Sequence, residues 1–294
     1  MDFKVCFIGF GEAAYNIAKG LAGEGCGPMA AFDVMWQDER FGPTIKKRAE
    51  ETGVTLLPSA DEVVGRADFV CSLTSAAVVV KVASGIVPKL TCGQVYVDMN
   101  SAGPSVKEEV AALQHAEGVL ICDAAVMGTV PGNGHKVPMF LAGEGAKAFY
   151  DALSPFGMRL TVLDRPAGSA SAIKMLKSVV MKGLPQLMME SFTAAERYGV
   201  LDTLVGSLSG SLNGKTVEQL AETFVARTMI HAARRADEMR DVKKMLEGLS
   251  CDSRMTQATI EKLDALAAEG WREKLGPEGG NMAFRDAVKL LAKE

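Results

Sequence analysis

The chain is poor in the residues that build metal centres and disulfide frameworks. Its three histidines (His115, His135, His231) are dispersed, and its six cysteines (Cys6, Cys26, Cys71, Cys92, Cys122, Cys251) form no C-x-x-C pair. No metal-ligand spacing results, so no metal site is expected. Cys6, Cys71 and Cys122 lie inside apolar runs, where a thiol behaves as a small hydrophobe. Reduced, buried thiols of a cytoplasmic protein are therefore expected. No apolar run reaches the roughly eighteen residues of a membrane span. No basic leader or apolar signal core precedes the first strand-like residues, so neither secretion nor membrane attachment is expected. No basic tract stands out and the net charge is −4, which argues against nucleic-acid binding. Repeats and low-complexity tracts are lacking too. What remains is an ordinary globular composition, 48% hydrophobic and 23% charged over 294 residues, enough for one or two domains.

Against that background Gly9-Phe10-Gly11-Glu12-Ala13-Ala14 stands out. It follows the apolar run Val5-Cys6-Phe7-Ile8 and opens a helical pattern through Ala14, Ile17, Ala18, Leu21 and Ala22. A glycine-rich turn between strand and helix cradles a dinucleotide pyrophosphate. Gly9 permits the turn, Gly11 lets backbone approach phosphate, and Ala14 lets helix and strand pack closely. The N–H groups of Glu12 and Ala13 lie at the helix start, where the dipole is positive. A second apolar run ends at Asp33, about twenty residues on, where a carboxylate meets the adenosine ribose. That position favours NAD, since a carboxylate repels a 2′-phosphate; Arg40 and Arg48 nearby leave NADP possible.

The first half continues with short apolar runs alternating with helical stretches. Strands are expected near 55–57, 69–73, 95–98, 120–123, 139–142 and 159–163. This pattern predicts a doubly wound, mainly parallel sheet of Rossmann type, covered on both faces. Beyond it only helical periodicity remains: one long helix over 170–198, kinked or broken at Pro185, then helices over 217–246, 256–268 and 282–292. An α/β domain over 1–165 and an all-helical domain over 166–294 are expected.

Ligands in such a sheet bind beyond the carboxyl ends of the strands. Leu73-Thr74, Asn100-Ser101 and Met127-Gly128-Thr129 follow three of them. Thr74, Asn100 and Thr129 are equally compatible with helix caps. Lys174 follows Gly168-Ser169-Ala170-Ser171-Ala172-Ile173 at the start of the long helix. In a crevice between the domains its pKa would fall towards the working pH for proton transfer. On composition alone it reads instead as a solvated helix-face lysine.

Together these segments resemble the β-hydroxyacid dehydrogenases, a family that includes 3-hydroxyisobutyrate and tartronate semialdehyde enzymes and is related to 6-phosphogluconate dehydrogenase. The resemblance covers nearly the full length. Ile8-Gly9-Phe10-Gly11-Glu12-Ala13-Ala14 matches the family's opening, and Asp98-Met99-Asn100-Ser101 its D-x-N/S-S/T strand end. Asp123 to Thr129 stands where the family has D-A-P-V-S-G-G. Gly168 to Lys174 keeps the spacing G-x-G-x-x-x-K, with Ala170 for the second glycine. The resemblance reverses the reading of Lys174, which it implies is the acid/base group.

The chain departs from the family at three places. Ser178 replaces the asparagine four residues after the lysine, Met127 replaces the loop serine, and Thr129 replaces the second glycine. The helical domain also differs from that of the well-studied members.

The resemblance implies an NAD(P)-dependent oxidoreductase for a small 3-hydroxy acid or semialdehyde. Lys174 and Ser178 would be catalytic. Gly9, Gly11, Glu12, Ala13, Asp33, Leu73, Thr74 and Asn100 would hold the cofactor. Ser101, Met127, Gly128, Thr129, Lys177 and Arg234 would meet a carboxylate-bearing substrate, although Lys177, Arg234 and Arg235 are equally readable as solvated helix charges. A homodimer formed through the helical domain is also implied. Two alternatives stay open: an imine or ketimine reductase on the same scaffold, and a dinucleotide-binding sensor without turnover.

Overall fold

A computed structural model describes residues 3–293. Eight strands form one sheet: β1 (Phe3–Ile8), β2 (Met29–Phe32), β3 (Thr55–Leu56), β4 (Ala67–Ser72), β5 (Val95–Asp98), β6 (Leu120–Val126), β7 (Met139–Ala142) and β8 (Leu160–Val162). Their order is β3-β2-β1-β4-β5-β6-β7-β8, and every neighbouring pair is parallel except the antiparallel β6–β7 pair. The order reverses between β1 and β4, which opens a crevice at their carboxyl ends.

Six helices accompany these strands: α1 (Glu12–Gly23), α2 (Gly42–Thr52), α3 (Ala60–Val64), α4 (Val79–Ile86), α5 (Pro104–Ala111) and α6 (Ala146–Leu153). Alternate strand residues point to opposite faces of the sheet. Val5, Phe7, Cys71, Val97 and Cys122 enter one core, with Ile17 and Leu21 of α1 and Phe149 of α6. Cys6, Ile8, Val70, Tyr96 and Ile121 enter the other, with Val79 and Ala83 of α4 and Val110 of α5. Both faces are dry, so the strands read as continuous apolar runs.

One close approach is set by α1. A Cβ built on Gly20 would lie 1.8 Å from Nδ1 of the buried His135. Alanine at a helix-interior glycine ordinarily stabilises by ~0.5–1 kcal/mol, but overpacking costs ~1–3 kcal/mol. Gly20→Ala is therefore expected to destabilise. Gly23→Ala, where a Cβ meets nothing within 4 Å, should not. Urea unfolding midpoints of the two variants check this, and equal midpoints would contradict it.

The remaining helices are α7 (Ser169–Tyr198), α8 (Leu201–Leu212), α9 (Val217–Ile230), α10 (Ala232–Gly248), α11 (Arg254–Ala268), α12 (Trp271–Leu275) and α13 (Phe284–Leu291). The chain divides into two compact units, one ending at Val179 and the other beginning at Val180. The division falls later than the change of texture near residue 165, because Asp123 of the sheet anchors the first turn of α7.

The helical expectations are refined at three points. α7 continues through Pro185, so of the kink or break expected there the helix is not broken. The stretch 217–246 divides at His231 into α9 and α10. The unexpected α8 contains Gly206 and Gly210, weak helix formers, yet Leu201, Leu204, Val205, Leu208 and Leu212 keep helical spacing.

In the second unit, the buried Glu190 of α7 accepts N–H bonds from Met255 (2.8 Å) and Thr256 (2.8 Å) at the start of α11. Among the described residues, no helix is long and apolar enough to cross a membrane. No group of three or more His, Cys, Asp or Glu is placed among them to hold a metal ion.

Candidate active site

The site is built at the carboxyl ends of β1, β2, β4 and β5. Past β1 the chain turns at Gly9 with φ +85°, and a Cβ there would lie 2.5 Å from the Leu73 carbonyl oxygen. Only glycine fits. Gly11 is the N-cap of α1, makes no side-chain cap bond, and would present a Cβ to nothing within 4 Å. The first N–H groups of α1, including those of Glu12 and Ala13, thus keep the unpaired donors of a bare helix start. Ala14 is buried behind them. A tight glycine turn, open space at Gly11 and an uncapped helix start fit a dinucleotide pyrophosphate.

The Asp33 carboxylate follows β2 and is already engaged. One oxygen accepts the Phe10 N–H (2.7 Å) and the other the Met35 N–H (2.9 Å). Each oxygen keeps a second acceptor position. Asp33 thus ties the glycine turn to β2 while retaining capacity for ribose hydroxyls. Arg40 and Arg48 lie over aromatic rings, those of Phe41 (5.1 Å) and Tyr15 (5.6 Å).

Asn100 is buried and its side chain is saturated. Its Nδ2 donates to Ser72 Oγ (3.0 Å) and Asp98 Oδ1 (2.6 Å), and its Oδ1 accepts the Thr74 N–H (2.5 Å). With both amide hydrogens used, Asn100 orders the Leu73-Thr74 loop rather than presenting a free donor. The same loop roofs Gly9, so the ends of β1, β4 and β5 form one connected edge.

Ser101, the next residue, accepts a hydrogen bond from Lys174 Nζ at 2.8 Å. Lys174 is half-buried on the second turn of α7. Its pKa is lowered, first by burial and next by the Lys107 ammonium, while Asp123 pulls it the other way. The Ser178 hydroxyl turns back onto its own helix and donates to the Lys174 carbonyl oxygen (3.2 Å). Lys177 is exposed one turn along.

The loop after β6 is less closely drawn in. Met127 packs beside Ala125, Ala142 and Ala170, filling with apolar bulk the place of the family's serine. Gly128 and Thr129 are exposed, and a Cβ on Gly128 would make only ordinary contact with Val137 (3.5 Å). Arg234 belongs to the second unit, where it pairs with Glu238 on α10.

Sequence reasoning missed what lies beneath this edge. Asp98, Lys107 and Asp123 form a buried charged cluster, and Asp123 also holds Gly168 and Ser171 at the start of α7. A usable signal existed: Lys107 stands three residues before the core residue Val110, on the face that should be apolar.

The model for the NAD-binding domain of 6-phosphogluconate dehydrogenase matches residues 4–161. The chain belongs to this family. A domain of unknown function, DUF1932, matches residues 195–266. Proteins similar to this 6-phosphogluconate dehydrogenase-like chain include 3-hydroxyisobutyrate dehydrogenases, imine reductases and a conserved hypothetical protein. A conserved hypothetical protein from Sinorhizobium meliloti is 33% identical over 100% of this chain and 97% of its own, with a TM-score of 0.65. Mitochondrial 3-hydroxyisobutyrate dehydrogenase of Mus musculus is 31% identical over 43% of this chain and 36% of its own. An imine reductase from Aspergillus terreus, solved with NADPH4 and dibenz[c,e]azepine, shares the fold: 15% identity, TM-score 0.75, 99% of both chains.

Proposed function

We propose that this chain is a nicotinamide-dependent dehydrogenase for a small 3-hydroxy acid or its semialdehyde, with Lys174 as the acid/base group. The observation that carries the reading is Lys174 itself: half-buried, its pKa lowered, and 2.8 Å from Ser101 at the carboxyl edge of the sheet. A lysine with a lowered pKa has a larger neutral fraction near pH 7, which a general base requires.

The N–H groups at the start of α1 would hold the diphosphate of the cofactor, and Asp33 would receive the adenosine ribose. Leu73 and Thr74, whose loop Asn100 fixes, would hold the nicotinamide end. When bound, the cofactor supplies the hydride acceptor or donor. Lys174 takes the substrate hydroxyl proton in oxidation and returns it in reduction. Ser101 orients the amine and lies within reach of the same hydroxyl. Met127, Gly128 and Thr129 border the substrate, where the thioether narrows the space the family serine would leave. Ser178 holds the helix carbonyl at Lys174 and takes no proton.

Fluorescence titration with each dinucleotide, followed by a panel of 3-hydroxy acids, semialdehydes and cyclic imines, tests the reading. NAD is expected to bind tighter than NADP by roughly tenfold or more, about 1.4 kcal/mol, because the Asp33 carboxylate would repel a 2′-phosphate. Hydroxy acids should reduce the bound cofactor. Turnover of imines alone would assign a reductase, and binding without any turnover would assign a sensor.

A further inference from the structure

Three charged side chains lie sealed beneath the site. Lys107 Nζ is 2.7 Å from Asp98 Oδ1, 2.9 Å from the Asp98 carbonyl oxygen and 3.6 Å from Asp123 Oδ1. All three residues are about 1% exposed. Burying ions costs stability that apolar residues of like volume would not, so the cluster invites a functional explanation. Its placement supplies one. Asp98 ends β5, three residues before Ser101, the hydroxyl that Lys174 contacts. Asp123 accepts the N–H groups of Gly168 (3.1 Å) and Ser171 (3.0 Å) and the Ser171 hydroxyl (2.8 Å), one turn before Lys174. Lys107 therefore clamps together the segment that carries Lys174 and the segment that carries its partner.

We propose that Lys107 is a positioning residue for Lys174: held between Asp98 and Asp123, it ties the strand end that leads to Ser101 to the carboxylate that anchors the start of α7. This rests on reading Lys174 as the acid/base group. Lys174 donates to Ser101, and the charges that act on it are those of Lys107 on α5 and Asp123 on β6. Glu108 of α5 lies against the Gly168 turn, and Lys177 is exposed on the same helix as Lys174. Burial and Lys107 both lower the Lys174 pKa, while Asp123 raises it. Without Lys107, two carboxylates would face a single remaining ammonium, and Lys174 would hold its proton more tightly. Asp98 Oδ2 has no hydrogen-bond partner, so the clamp has negative charge to spare once its cation is removed.

The test is the titration of Lys174 in the full chain, read as the pH dependence of its acetylation by acetic anhydride, with mass spectrometry. Lys107→Met keeps the length and removes the charge. Its midpoint at Lys174 is expected to rise by about one pH unit or more. The rising limb of kcat/KM for hydroxy-acid oxidation should move up equally. Lys107→Arg, which keeps the charge, should restore both. If Lys107→Met does not fold, the double variant Asp98→Asn with Lys107→Met deletes the closest pair as a neutral unit and should raise the midpoint in the same direction but by less. An unmoved or lowered midpoint in a folded variant overturns the proposal. A raised midpoint, with turnover indifferent to Lys174→Ala, upholds the charge coupling and removes only the reading of Lys174 as the acid/base group.

Discussion

Lys174→Ala is expected to lower turnover by roughly a hundredfold or more, the usual scale for losing a general acid or base, and to leave dinucleotide affinity within about twofold. The two halves of this expectation come from different parts of the edge. In the proposed reading the diphosphate would lie on Gly9, Gly11 and the start of α1, and the adenosine end on Asp33. None of these hydrogen-bonds Lys174, whose recorded side-chain partner is Ser101. Deleting the amine thus leaves the cradle intact and removes the proton acceptor. Alanine also suits a helix, so α7 should persist. Steady-state kinetics beside a fluorescence titration separates the two quantities. Full turnover in the variant would sink the mechanism, and a matching collapse of cofactor affinity would show that Lys174 holds the dinucleotide instead.

The largest stability effect is expected at Asp123. Leaving a buried donor without its acceptor costs about 1–3 kcal/mol, and Asp123 serves three such donors. In Asp123→Ala, Lys107 would keep Asp98 alone. The N–H groups of Gly168 and Ser171 and the Ser171 hydroxyl would lose their acceptor. Such a loss is a large part of the ~5–15 kcal/mol that a domain typically possesses. Asp123→Asn retains one acceptor oxygen and should fall between alanine and the native residue. Urea unfolding of the three proteins gives the ranking directly. An alanine variant within about 1 kcal/mol of the native protein would show that the cluster does not anchor α7.

Much of the cofactor edge was legible because its constraints are local. A turn with positive φ against a neighbouring carbonyl demands glycine at residue 9, and an aspartate closing the next apolar run marks the end of β2. Strand runs buried on both faces are equally plain in one dimension. Lys107 was harder to read for the opposite reason: its partners come from strands nine residues before it and sixteen after it, and only its spacing from Val110 hints at burial. Asn100 shows an intermediate case. Its position at a strand end is readable, but the saturation of its amide by Ser72, Asp98 and Thr74 emerges only when the ends of β4 and β5 meet. Pro185 and His231 mark another limit: the helix continues through the proline and divides at the histidine, which carries no local breaking signal.

The thiols have a practical consequence. Cys6, Cys71 and Cys122 lie on β1, β4 and β6, in the middle of the sheet, while Cys92 is exposed. Burial pushes the Cys6 thiol up to about 12 and raises Cys71 and Cys122 as well. Only the thiolate reacts readily with alkylating reagents. The centre of the sheet therefore carries native chemical clocks, silent while the strands stay paired and started by their separation. Cys92 provides the surface reference within the same molecule.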